Sequence, residues 1–248
     1  MAASIDRYWQ PAAAAYMRGF LQEAGMTSNP VVTVPFSALD RANMDYLVGV
    51  GMSVGGKLSE FLKKPLPARI VRVLDLIEQL KPEQVFDVGT GRGAFLYPFL
   101  ERFPYIPITC NDLLSYRTGF LKYLEDGGLT GVHVITGDFC RLDIPDASYD
   151  AVTMLQVLEH VPDMEAAVQQ AVRIARRYVI VTVPVRPEDN PPPRHMPDRK
   201  LLQELFRKAG CRQITFLKLP MQIFLVAEKD PEMKEASCRM REIPMQDP

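Results

Sequence analysis

Residues 85–93 read Val85-Phe86-Asp87-Val88-Gly89-Thr90-Gly91-Arg92-Gly93. An apolar run leads straight into three glycines at alternate positions, and a helical pattern follows. Glycine lacks the β-carbon that obstructs a left-handed turn, so a strand ending this way can reverse tightly and bring bare backbone close to a ligand. The helix beyond it begins with N–H groups that have no partner inside the helix. The stretch therefore predicts a strand, a ligand-cradling turn and a helix, the opening unit of an α/β fold that holds a nucleotide-like cofactor. The dinucleotide fingerprint spaces its glycines Gly-x-Gly-x-x-Gly. Here the place of its third glycine is taken by Ala94, and an acidic residue, Asp87, stands two positions before Gly89.

Outward from this loop the chain alternates. Phe95, Leu96, Phe99 and Leu100 recur at helical spacing over 94–102, a proline-punctuated turn follows, and 106–110 reads as a strand ending in Asn111-Asp112. A carboxylate about 20 residues past a glycine loop is where dinucleotide enzymes receive the ribose hydroxyls, which makes Asp112 a candidate. The alternative for Asp112 is a helix cap before Leu113 and Leu114. A third strand over 132–136 runs into Gly137-Asp138-Phe139, and a fourth begins at Tyr149. An amphipathic helix over 164–177, an apolar strand over 178–183, a helix over 200–209 closed by Gly210, and strands over 213–217 and 222–227 complete the pattern.

The Asp-x-Gly-x-Gly-x-Gly spacing of Asp87 to Gly93, joined to the segment Tyr149-Asp150-Ala151-Val152-Thr153-Met154-Leu155-Gln156-Val157-Leu158-Glu159-His160-Val161-Pro162-Asp163, resembles the class I S-adenosylmethionine-dependent methyltransferases of small-molecule and quinone-biosynthetic type. The likeness covers about residues 80–228. It implies a Rossmann-like, doubly wound α/β fold: a seven-stranded, mostly parallel sheet with an antiparallel last strand, preceded here by an N-terminal helical extension. It implies S-adenosyl-L-methionine as cofactor, held by Asp87, Gly89, Thr90, Gly91 and Gly93. Asp112 would receive the ribose, Asp138 and Phe139 would clasp the adenine, and Gln156 would line the methionine end. An aromatic stacked on a base contributes about 1–3 kcal/mol, which suits Phe139. The other reading of that pair is a turn aspartate and a core phenylalanine.

Composition agrees with one enzyme domain plus an addition. A chain of 248 residues with 47% apolar content has ample core, and 29 basic against 30 acidic residues leave no electrostatic footprint for a nucleic acid in the total. No apolar run approaches the ~20 residues of a membrane span, and Asp6, Arg7 and Gln10 interrupt the N-terminus where a signal peptide would be apolar. Cys110, Cys140, Cys211 and Cys238 lack metal-site spacing and read as reduced thiols. The expected location is the cytoplasm, and the expected partner a small-molecule methyl acceptor; no membrane or nucleic-acid partner is expected, and a homodimer is allowed for. Three segments are expected: a helical substrate region or lid over 1–80, the cofactor-binding core over 81–228, and a charged tail over 229–248.

In the N-terminal region, helical spacing is read over 5–23, 37–63 and 68–80, with Tyr8, Trp9, Tyr16, Phe20, Tyr46 and Phe61 either packing the helices or serving the acceptor. Gly51 to Leu58 nearly spells a phosphate loop, but Leu58 stands where the metal-binding hydroxyl must be, so a helical corner with Lys57 facing the cofactor carboxylate is expected instead. Methyl transfer from a sulfonium needs positioning above all, and a base only if the acceptor starts protonated. His160 and His195 are the candidate bases, each with a structural alternative: loop scaffolding for His160, an exposed loop position for His195. Relatives that bind a metal use Glu-x-x-Glu-His, and Gln156 replaces the first carboxylate here, so no metal is expected. The Asn/Asp-Pro-Pro-Tyr/Phe signature of base and glutamine methyltransferases is absent. Methylation of a protein or RNA, or cofactor binding without transfer, are the competing functions.

Overall fold

The computed structural model describes residues 8–186 and 193–229. The start of the first predicted helix, Pro191 and Pro192, Cys238 and the charged tail beyond Lys229 lie outside the described residues. The seven strands form one sheet in the order β3-β2-β1-β4-β5-β7-β6. They are β1 (Val85–Val88), β2 (Ile108–Asp112), β3 (Val132–Thr136), β4 (Tyr149–Leu155), β5 (Ala175–Pro184), β6 (Gln213–Leu217) and β7 (Gln222–Glu228). β1 pairs parallel with β4, β4 with β5 and β2 with β3, while β7 runs antiparallel between β5 and β6. This is the seven-stranded, doubly wound arrangement with an antiparallel final strand that the resemblance to the methyltransferases implied. The order turns back at β1 and β4, and in open α/β sheets ligands bind beyond the carboxyl ends of the strands at such a switch.

The chain divides into two compact units, Met1–Leu66 with Thr90–Gly137, and Pro67–Gly89 with Asp138–Pro248. In the first, α1 (Gln10–Glu23) packs on α3 (Arg41–Ser53) and on α6 (Ser115–Asp126), with the short α2 (Pro30–Thr33) beside them. α1 starts with Pro11 in its first turn, where the missing N–H costs nothing. Its Ala12, Ala13, Ala14 and Ala15 are all buried. Such small side chains let helices approach closely, and at Gly19 an added β-carbon would lie 2.4 Å from the Tyr123 carbonyl oxygen. Trp9, Tyr16 and Phe61 are buried, and the Tyr16 ring packs at a tilt with its centroid 4.6 Å from that of Phe120 and 5.0 Å from that of Phe61. Arg18 ties the α2 segment down by donating to the carbonyls of Val32 and Val34. Most of the predicted N-terminal aromatics are thus packing residues, but Tyr46 is exposed.

The helical spacing predicted over 37–63 breaks within the stretch where a helical corner was expected. α3 begins at an Asp40 cap that accepts from the Asn43 N–H and ends at Val54, after which Gly55 turns at φ +102°. Gly51 and Gly56 sit against Met17, whose sulfur would be 2.5 Å from a β-carbon at either position. The glycines of this corner therefore serve packing, and Lys57 is exposed. α5 (Leu96–Arg102) completes the unit; the strand after it starts at Ile108, two residues later than predicted, because the Ile106 N–H is spent on a turn to Phe103 and Pro107 has no N–H to offer a ladder.

In the second unit α4 (Ala68–Leu80) buries Ile70, Val73, Leu74, Ile77 and Leu80 at helical spacing and stops at Lys81 in the left-handed region. α7 (Met164–Ile174) and α8 (Arg199–Lys208) open on Asp163 and Asp198, whose carboxylates accept from Ala166 and Leu201. The predicted helix over 164–177 ends early, since Ala175 already pairs with Tyr149 in the sheet ladder. No helix among the described residues is long and apolar enough to cross a membrane.

Two glycine substitutions test the packing reading with opposite signs. Gly19→Ala should destabilise by about 1–3 kcal/mol in urea unfolding, because the new methyl meets backbone that cannot rotate away. Gly49→Ala, in α3 with open space around it, should stabilise by up to ~1 kcal/mol through helix propensity.

Candidate cofactor and acceptor site

In the first unit the glycine turn is built on the end of β2. The Thr90 N–H donates to the Asn111 carbonyl at 2.9 Å, and the Gly93 N–H closes back on Thr90 at 3.1 Å. Gly91 and Gly93 adopt φ +61° and +86°, so both need glycine's freedom. Asp112 is buried, and its two oxygens are divided between main-chain donors: Oδ2 accepts from Gly91 at 3.0 Å and Oδ1 from Leu114 at 2.9 Å. Arg117 stands 3.4 Å from Oδ2. The bond to Leu114 has the look of the helix-cap alternative, while α6 itself starts only at Ser115. Asp112 is therefore a turn builder at the mouth of the glycine loop; Oδ2 is shared between Gly91 and Arg117, and Oδ1 retains a second lone pair for a hydroxyl donor. Leu113, 65% exposed beside this carboxylate, is an apolar surface that the sequence does not announce, because a lone leucine after a strand has no spacing signature.

The second unit carries the other candidates. Asp87 is buried and its carboxylate accepts the Thr153 hydroxyl at 2.6 Å, a contact between neighbouring strands in register. Gly89 has φ +66°, and a β-carbon there would lie 2.6 Å from Val157 Cγ2. Asp138, half-exposed, caps its own turn by accepting from Cys140 at 3.1 Å. Phe139 is 5% exposed and its ring packs 5.7 Å from Phe86, so the side chain lies in the core, with its carbonyl held by Gln170. Gln156, at the carboxyl end of β4, takes φ +57°, a strained value for a residue with a side chain, and its N–H donates to Thr182 at 2.8 Å. Such strain held by neighbouring strands is common at functional positions, and no sequence pattern announces it.

The Glu159 carbonyl accepts from the N–H groups of both Arg194 and His195, at 2.8 and 3.1 Å. Residues far apart in sequence are thereby joined, and His195 is held by its main chain to the residue preceding His160. His195 is half-buried, with an Nε2 that no described residue meets, and the His160 N–H closes a turn to Val157 at 2.9 Å. Among the described residues no group of three His, Cys, Asp or Glu could hold a metal ion.

Residues 86–181 match the family model of the methyltransferase domain. The demethylmenaquinone methyltransferase of Deinococcus radiodurans is 35% identical over 72 residues, 29% of this chain and 30% of that protein. The ubiquinone biosynthesis O-methyltransferase of Nitrosomonas europaea is 32% identical over 124 residues, 48% of this chain and 51% of that protein. The matched region thus spans about half or less of these relatives' length. An S-adenosylmethionine-dependent methyltransferase of Aquifex aeolicus shares the fold with TM-score 0.53 at 18% identity, over 66% of this chain and 95% of that one. Residues 86–181, less than half of the chain, are thus similar to the methyltransferase domain, and the fold is the one seen in the S-adenosylmethionine-dependent methyltransferase of Aquifex aeolicus.

The residues present fit the cofactor of that family. Glycines stand where β-carbons would fill the turn, and a buried carboxylate with a spare lone pair stands next to an exposed leucine. Gly89→Ala tests the turn: the clash with Val157 and the left-handed φ together should cost about 2–4 kcal/mol in urea unfolding. A variant as stable as the parent would show that the loop relaxes freely.

Proposed function

We propose that the protein transfers a methyl group from S-adenosylmethionine to an O, N or C atom of a small, aromatic or apolar metabolite. The observation that carries this is the left-handed glycine turn bonded to the Asp112 carboxylate at the end of β2, inside the region that matches the methyltransferase domain. The relatives' names point to hydroxylated aromatic acceptors of the quinone-precursor kind, for which a phenol or ring carbon would be the nucleophile. When bound, the cofactor supplies a methyl carbon made electrophilic by its sulfonium.

In this reading Gly89, Thr90, Gly91 and Gly93 give the cofactor a backbone bed, Asp112 accepts the ribose hydroxyls with Leu113 beside it, and Asp138 is assigned to the adenine. Phe139 supports the Asp138 turn from within the core. Asp87 orients its neighbours through Thr153, and Gln156 faces the methionine end. The remaining task is to place the acceptor in line with the methyl and to exclude water. If the acceptor enters protonated, His160 or His195 removes its proton, a role suited to an imidazole near neutral pH. The N-terminal helices are assigned to acceptor handling.

Calorimetry on the full chain should show binding of S-adenosylmethionine or S-adenosylhomocysteine and silence with NAD. Asp112→Ala should weaken it by about 1.5–3 kcal/mol, the range of hydrogen bonds to a charged group. Binding of NAD with no response to the sulfonium compound would refute the reading. With a turned-over acceptor in hand, loss of the base should lower the rate by about 10²–10⁴-fold in either His160→Ala or His195→Ala, and the rate should lose its fall at acid pH. Variants within about threefold of the parent would mean that proximity alone drives transfer.

A further inference from the structure

Tyr97 is the group that the account above leaves unused. It is 3% exposed, and its hydroxyl meets no hydrogen-bond partner among the described residues. Buried tyrosine hydroxyls ordinarily find a partner, since leaving one without costs about as much as a lost hydrogen bond. The tip of the ring lies directly against the glycine loop: a β-carbon on Gly93 would be 2.6 Å from Tyr97 Cζ. The ring is also packed against Phe61, centroid to centroid 5.0 Å.

Phe61 belongs to the short turn Ser59–Phe61, and Glu60 on that turn reaches across to Arg92, the residue between the last two glycines of the loop, at 3.3 Å. The turn is anchored from behind. Trp9 donates its N–H to the Phe61 carbonyl at 2.9 Å, Tyr8 bridges to Leu62, and Lys63 lies 4.8 Å over the Trp9 ring. Burial pushes the Tyr97 phenol well above the ordinary tyrosine range, and the nearby Glu60 carboxylate adds to the rise, so the hydroxyl keeps its proton. One carboxylate, one guanidinium and one neutral hydroxyl thus meet at a single glycine turn. The ion pair between the first two is open to solvent on its Arg92 side, and such surface pairs are weak enough to exchange partners readily.

We propose that Glu60, Arg92 and Tyr97 form the receptor for a zwitterionic α-amino-acid group, the tail of the cofactor, with Glu60 taking the ammonium, Arg92 the carboxylate and Tyr97 a hydrogen bond to either. The set complements a zwitterion charge for charge, and binding exchanges the Glu60–Arg92 pair for two pairs with the ligand. The arrangement also gives the N-terminal segment a role in cofactor binding, because Glu60 and Phe61 both come from it. The inference rests on the S-adenosylmethionine reading and adds the residues that tell the full cofactor from a nucleoside lacking the amino-acid tail.

The test compares S-adenosylhomocysteine with 5′-methylthioadenosine, which keeps the nucleoside and thioether and lacks the tail, by calorimetry on the full-length parent, Tyr97→Phe and Glu60→Gln. Tyr97→Phe preserves the ring packing, and Glu60 is on the surface, so both are expected to fold; circular dichroism melts verify this. The expected result is a loss of about tenfold or more for S-adenosylhomocysteine in each variant, with 5′-methylthioadenosine unchanged within about twofold. Equal losses for both compounds, or none for either, overturn the inference and leave the cofactor reading standing. A parent that binds neither compound overturns both.

Discussion

The carboxylate of Asp112 is the tie on which the first half of the site depends. It accepts the Gly91 N–H from the glycine turn and the Leu114 N–H from the approach to α6, and its main-chain carbonyl receives Gly137 from the end of β3. One buried side chain at a strand end therefore sets the turn in which the cofactor would lie and the start of the following helix. An asparagine there would have one oxygen to serve two N–H groups, and an alanine none. The glycines answer the same constraint from the other side, because Gly91 and Gly93 can adopt the left-handed conformation that points the loop at this carboxylate.

Much of this was legible in the sequence because it depends on local chemistry. Alternating glycines after an apolar strand have few physical meanings, and an aspartate at the next strand end supports one of them. The sheet followed for the same reason: apolar runs of strand length alternating with helical spacing leave little choice of topology, and the final antiparallel pair was signalled by two strands in quick succession.

What escaped the sequence is what depends on contacts between distant residues. Phe139 reads equally well as an adenine cover or a core ring, and only its packing on Phe86 shows the side chain in the core. The corner within 37–63 was expected, but not that Gly51 and Gly56 are there to admit Met17 from α1. Gln156 carries no mark of its positive φ, and the docking of His195 on Glu159 brings together residues more than thirty positions apart. Tyr97 could not be singled out from a helix rich in aromatics until the space left by Gly93 was seen. Leu113 gained meaning from its exposure alone.

The central claim is that the glycine turn and Asp112 hold the nucleoside of S-adenosylmethionine. A crystal structure of the full chain grown with S-adenosylhomocysteine tests it most directly. Both ribose hydroxyls should lie within hydrogen-bond distance of the Asp112 carboxylate, with the Gly91 and Gly93 backbone against the ligand and the adenine over Leu113. Ligand density elsewhere on the molecule, with Asp112 bonded only to Gly91, Leu114 and Arg117 as it is now, would contradict it.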